Sequence, residues 1–211
     1  MKKLKKITAI FLLALSTLNC SKADETIVSF AGNSTPLCPT TNTAFQQLYN
    51  PLNTVAMPES LSGYANSVIH EYTFKTSIAS TICSIGYQSQ PNLSAQNYLI
   101  EIYDTTTSLV VATINTTFSS MTTSYASLVT PLILIANRDY KIKRYSPATV
   151  ANPNGLGRCV SNPVSGGGNV VFPKSNGNLT ITASNFYTQN LNGIISAGVN
   201  SGLPYIDIVF Q

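Results

Sequence analysis

Catalysis needs particular side chains, and this sequence supplies few of them. It holds a single histidine, His70, in "IHEYTF". That position shares a strand register with Tyr72 and falls on the inner side near the strand start, where a histidine serves structure. No G-x-S-x-G elbow is present. No Cys-x-x-Cys or histidine-containing spacing fits a metal. "SGGGN" lacks the following lysine and the strand-to-helix context of a phosphate cradle. Glycoside hydrolysis needs two facing carboxyl groups, and nothing in the spacing of Glu71, Glu101, Asp104, Asp139 and Asp207 brings two together. The residues predict no catalytic centre, no metal and no cofactor.

Binding is better supplied. "KRYSPATVANPNGLGR" gathers Tyr145, Asn152, Asn154 and Arg158 on one loop, and "NFYTQN" adds Phe186 and Tyr187. Sugar sites stack apolar ring faces on aromatic side chains and use amide and guanidinium groups for hydrogen bonds. Tyr145, Asn154, Arg158, Phe186 and Tyr187 are therefore the candidate ligand residues. Tyrosine is plentiful at 11, whereas tryptophan, the best stacking platform, is absent. The plainer alternative is that these residues form the loop's own small core and turn caps.

The elements that must hold them read as strands. "IHEYTFK", "TICSIGYQ", "NYLIEIYD", "SLVVATIN", "SYASLVT", "PLILIAN" and "DYKIKRY" follow one another at short spacing. After an Asn/Gly/Pro-rich loop come "NVVF", "NLTITAS" and "PYIDIVF". Period-2 alternation in short β-rich runs predicts an all-β fold, an antiparallel β-sandwich or barrel. In "NYLIEIYD" Tyr98, Ile100 and Ile102 share one face, and Leu99, Glu101 and Tyr103 the other. In "YKIKRY" Lys141 and Lys143 oppose Tyr140 and Ile142, which suits a solvated outer face or an edge guarded by lysines. The closing "PYIDIVF" is expected to be a central strand, with Ile206, Ile208 and Phe210 inward and Asp207 at least partly in solvent. "TAFQQLYNPL" is the best helical candidate, and it is short.

The chain opens with a leader. Lys2, Lys3, Lys5 and Lys6 precede an uncharged, mostly apolar run, Ile7 to Leu18. A dozen residues cannot span a bilayer that needs about 20 in a helix, so the run reads as an export signal. A cut before Asp24, after "SKA", would discard Cys20. "STLNC" resembles the bacterial lipobox, with Thr17 and Asn19 departing from its usual residues. "CSKADE" resembles the surface-export tag of Bacteroidetes lipoproteins. The resemblance implies a signal peptide over residues 1–19 and a lipid on Cys20. Residues 20–60 then form a tether and irregular lead-in, and 61–211 the sandwich domain. Several acyl chains anchor firmly where one holds weakly, so the expected address is the outer membrane or cell surface.

Three cysteines remain after lipidation, in an oxidising compartment. Cys38 and Cys159 lie in Pro-flanked, loop-like stretches, and Cys83 alternates with Ile85 and Tyr87 on one strand face. The expectation is a Cys38–Cys159 disulfide with Cys83 a free core thiol. Four of the twelve basic residues sit in the leader, leaving eight against eight acids. A near-neutral chain has no footprint for nucleic acid.

"YTFKTSIASTICSIGYQ", "NYLIEIYDTTTSLVVATI", "TPLILIANRDYKI" and "PYIDIVF" together resemble a bacterial jelly-roll domain of unknown function. Members attach it to secreted sugar-active enzymes or cell-surface repeats. The likeness spans about Ile69 to Phe210 and rests on β-patterns. It implies a jelly-roll sandwich and, weakly, a function near glycans. "DTT" at Asp104 to Thr106 resembles an O-glycosylation triplet, but the plainer reading, an Asp and Thr making local turn bonds, is the preferred one. Two functions stay open: a lipid-anchored, non-catalytic glycan-binding sandwich, or a structural or protein-interaction module of the envelope.

Overall fold

The computed structural model describes residues 38–60, 67–147, 158–161, 169–190, 193–196 and 198–211. The leader, Cys20, Asn152 and Asn154 lie outside the described residues.

The described strands are β1 (Glu59–Ser60), β2 (Ser67–Thr76), β3 (Ser80–Tyr87), β4 (Tyr98–Asp104), β5 (Leu109–Thr116), β6 (Ser124–Leu134) and β7 (Tyr140–Tyr145). They continue with β8 (Cys159–Ser161), β9 (Lys174–Asn176), β10 (Leu179–Asn190), β11 (Gly193–Ser196), β12 (Gly202–Pro204) and β13 (Asp207–Phe210). Every ladder among them is antiparallel. The large sheet runs β11-β10-β2-β7-β4-β5, with β9 added to β10. A second runs β13-β3-β6, and a small third β1-β8-β12. The protein is an all-β sandwich of antiparallel sheets.

Alternation along the strands builds the core. In β4, Tyr98, Ile100 and Ile102 are buried while Leu99, Glu101 and Tyr103 are half-buried. In β7, Tyr140, Ile142 and Arg144 point inward. Tyr98, Ile100, Ile102, Tyr140 and Ile142 join Tyr72, Phe74, Ile85, Leu134 and Ile208, drawn from both larger sheets, in one apolar cluster. β7 lies between β2 and β4. Its lysines therefore mark an outer face and not an edge.

The lead-in is not irregular throughout. Helix α1 (Ala44–Tyr49) starts at Thr43, whose side chain accepts from the Gln46 N–H while the Gln46 side chain reaches back, a capping box. Six residues cannot sustain an isolated helix. Burial of Phe45, Leu48 and Tyr49 on one face holds it. Phe45 stacks on Tyr72 at 5.6 Å and meets Tyr205 edge-on at 5.4 Å. The core therefore begins well before residue 61.

Two further expectations are corrected. The disulfide joins Cys38 to Cys83, with a Cα–Cα distance of 6.0 Å, and Cys159 is the free, buried thiol. Cys38 sits just ahead of α1, which packs beside β13, and so reaches β3. Cys159 is enclosed in β8, where its Sγ crowds Gly202 of β12. Among the described strands the last, β13, is an edge strand paired with β3, and Asp207 is fully buried. Period-2 alternation predicted a wet face, but α1 covers it. Ile206 and Ile208 are in the core, and Phe210 is only partly buried against it.

Candidate functional site

Antiparallel pairing brings the outward side chains of the large sheet into rows that cross the strands. One row runs Tyr187 (β10), Ile69 (β2), Tyr145 (β7), Leu99 (β4). The next runs Asn185, Glu71, Lys143, Glu101. A third places Thr73, Lys141 and Tyr103 side by side. Neighbouring strands lie about 4.8 Å apart, so Tyr187 and Tyr145, two strands apart, stand roughly 10 Å from each other along the backbone.

These side chains form one polar network. Tyr187 donates its hydroxyl to Glu71 Oε1 at 2.9 Å. Lys141 Nζ lies 3.0 Å from Glu71 Oε1, and Lys143 Nζ 3.6 Å from Oε2. The Lys143 ammonium also sits 4.7 Å from the centre of the Tyr103 ring, a cation–π contact. Tyr103 donates to Glu101, and its hydroxyl lies 2.9 Å from that of Tyr145. The network crosses β10, β2, β7 and β4 without a break. Glu71 is almost wholly covered by its partners, whereas the tyrosines and lysines keep part of their surface in solvent.

Burial first, then a hydrogen bond to Glu101, raises the Tyr103 pKa. Burial and the bond to Tyr103 do the same for Tyr145, and burial with Glu71 for Tyr187. All three phenols keep their protons at neutral pH and act as donors. The face thus presents aromatic rings, phenol oxygens, two carboxylates and two ammoniums across four neighbouring strands. Such a set can bind hydroxylated, partly apolar molecules.

The expected ligand residues divide. Tyr145 and Tyr187 share this face and one row. Phe186, one residue from Tyr187, points the opposite way and is buried against His70 with ring centres 4.6 Å apart. Arg158 is elsewhere. It forms a two-pronged pair with Glu59, 2.8 Å on each side, and lies over the Tyr205 ring at 4.1 Å. Asn154 is outside the described residues. Glu71, Glu101, Lys141, Lys143 and Tyr103 were not among the expected ligand residues. Their alternation marked them as outward, but only cross-strand pairing assembles them.

Glu71 and Glu101 are two acids on one row, flanking Lys143, a juxtaposition that residue spacing did not foretell. Both are engaged, Glu71 by two lysines and Tyr187, Glu101 by Tyr103. His70 lies under the sheet, fully buried, beside Arg144 in the β2–β7 ladder. Burial, then the nearby guanidinium, pushes its pKa well down, so the imidazole is neutral. Neither ring nitrogen has a hydrogen-bond partner among the described residues.

Asp104 accepts from the Thr106 N–H at 2.9 Å and pairs with Arg138 at 2.6 Å, the bonds of a structural turn. A cleft of about 360 Å³ between Ala44, Thr76, Leu179 and Phe210 is lined by no charged side chain. No group of His, Cys, Asp and Glu side chains among the described residues could hold a metal ion. No described helix is long and apolar enough to cross a membrane. No protein-family model matches the chain, and no curated protein matches it.

Proposed function

We propose that this is an exported, lipid-anchored protein of the cell envelope whose sandwich, of jelly-roll type, is a non-catalytic glycan-binding module. The tyrosine–carboxylate–lysine network across β10, β2, β7 and β4 carries the reading. Flat aromatic surface beside charged hydrogen-bonding groups is the chemistry that sugars reward. The lipid anchor is read from "STLNCSKADE" and the leader before it. Membrane attachment through Cys20, with a glycan outside, gives the module its partners.

A second reading is a structural or protein-interaction module. The exposed aliphatic residues Leu109, Val110, Val129, Ile133 and Ile135 on β5, β6 and just beyond favour it. A glycan array probed with the soluble chain from Ser21 separates the two. That form keeps Cys38 and α1, which the core requires. Saturable binding to one sugar class supports the first reading. An empty array together with a stoichiometric protein partner supports the second. Release of reducing ends from a bound polysaccharide, lost in Glu71→Gln and Glu101→Gln, would overturn the non-catalytic assignment.

A further inference from the structure

We infer that the ligand is a neutral, linear polysaccharide whose chain lies across the strands, over the row that holds Tyr187 and Tyr145. The inference rests on the glycan-binding reading and specifies its ligand.

Charge decides the class. The network contains two carboxylates, Glu71 and Glu101, and two ammoniums, Lys141 and Lys143. Lys143 stands in register between the two acids, and both lysines reach Glu71. Lys75 is on the same face one outward position past Thr73, at the end of the β2–β7 ladder, two rows from Glu71 and three from the row of Tyr187 and Tyr145. A polyanion such as a uronate polymer would meet cations already neutralised, and Glu101 would repel it. Neutral sugar hydroxyls meet no such conflict. They can donate to the carboxylates and to the phenol oxygens, whose own protons already go to Glu71, Glu101 and Tyr103, and accept from the ammoniums.

Geometry decides the direction. Tyr187, Ile69, Tyr145 and Leu99 make an apolar and aromatic line perpendicular to the strands. The carboxylate and lysine row runs parallel to it, two residues along each strand. A sugar chain laid on the first row puts its ring faces on tyrosine and its hydroxyls toward the second. Tyr187 and Tyr145 stand roughly 10 Å apart, room for more than one sugar ring between the two contacts.

The test is affinity gel electrophoresis of the soluble chain from Ser21 in gels containing one polysaccharide each. The neutral probes are mixed-linkage β-glucan, xylan, galactomannan and pullulan, and the acidic ones are polygalacturonate and alginate. At least one neutral polymer is expected to retard the protein, to the same degree at low and high salt. Tyr145→Ala and Tyr187→Ala should each weaken that retardation by about tenfold, the scale of one lost ring contact. Tyr145→Phe keeps the ring and should retain most of it, a comparison that stands even if an alanine variant fails to fold. Retardation by the uronates alone, abolished by salt, overturns the neutral class and leaves glycan binding in place. Retardation by neutral polymers that both folded alanine variants keep in full overturns the location. No retardation by any of the six overturns glycan binding itself, and this inference with it.

Discussion

The Thr43 hydroxyl donates to Asp207 Oδ1 at 2.8 Å across 164 positions of sequence. Gln46 Nε2 and the Tyr125 hydroxyl each reach Oδ2 at 3.0 Å. One buried carboxylate thus ties the start of α1 to β6 and to the last strand. Thr43 serves two roles there, because the same hydroxyl oxygen caps the helix by accepting from the Gln46 N–H at 3.0 Å.

That carboxylate gives stability a particular pH dependence. Burial pushes the Asp207 pKa up from 3.8 to about 6, against the bonds from Thr43, Tyr125 and Gln46 that lower it. Between those values the folded chain holds a proton that the unfolded chain has released. The contribution is therefore complete below about pH 4 and is lost as pH rises through 6. Two units of pKa correspond to about 3 kcal/mol. His70, kept neutral in the fold by burial and then by Arg144, works in the opposite direction over the same window, so the decline should appear as a shrinking difference between wild type and Asp207→Asn in urea melts from pH 4 to 7. Asp104, held low by Thr106 and Arg138, works in the opposite direction and only at lower pH. A difference between wild type and Asp207→Asn that stays constant or grows across the window would refute the assignment to Asp207.

The disulfide should close a loop of 45 residues, Cys38 to Cys83. Loop-closure entropy for that length is worth about 4 kcal/mol. Cys38→Ser should lose most of it, and Cys38→Ser with Cys83→Ser should lose little more. Non-reducing peptide mapping should link Cys38 to Cys83, while Cys159 alkylates only after unfolding. A Cys159-containing bridge in the map would contradict the fold at β8.

Gly86 should tolerate no side chain. A Cβ built there would lie 2.3 Å from the Tyr125 ring, and Tyr125 is bonded to Asp207 and Gln46. Gly86→Ala should displace the ring and cost about 1–3 kcal/mol. In a Tyr125→Ala background the same change should cost much less, because the clash is gone. Equal costs in the two backgrounds, measured by denaturant melts, would place the strain elsewhere.

Glu71 should govern both the stability and the charge of the outer face. Glu71→Gln removes the shared partner of Lys141 and Lys143, which are 30% and 25% exposed. Their exposure limits the loss to about 1–2 kcal/mol, well below that of a fully buried pair. The face then carries an excess of positive charge. The variant should begin to be retarded by polygalacturonate at low salt and be released as salt rises. Unchanged mobility in that gel would mean that the lysines are not available to ligands.

Cys20 should carry the anchor. A fatty-acid probe is expected to label the full chain and to leave Cys20→Ala unlabelled. A mature N-terminus at Asp24, with no label on the wild type, would show the ordinary signal-peptidase cut instead.

The faces of β4 and β7 were legible in the chain itself. Alternation is a property of neighbouring residues, and "NYLIEIYD" and "YKIKRY" each hold apolar and polar positions two apart. The all-β class and the outward placement of Tyr103, Glu101, Lys141 and Lys143 follow from that local pattern, whereas Tyr145 and Tyr187 were picked out by the aromatic and amide content of their segments. Its limits are equally physical. Period 2 places Tyr187 and Phe186 on opposite faces, but it does not say which strand will lie beside them. Strand order does, and it sets Tyr187 beside Ile69 and then Tyr145. The same non-local packing moved Asp207 from solvent into a buried clasp, because α1 covers β13, and paired Cys38 with Cys83 in place of Cys159. A side chain's direction is decided within its own strand. What it meets depends on segments far away in sequence, brought there by burial of a common core, and in this protein the candidate site consists of those meetings.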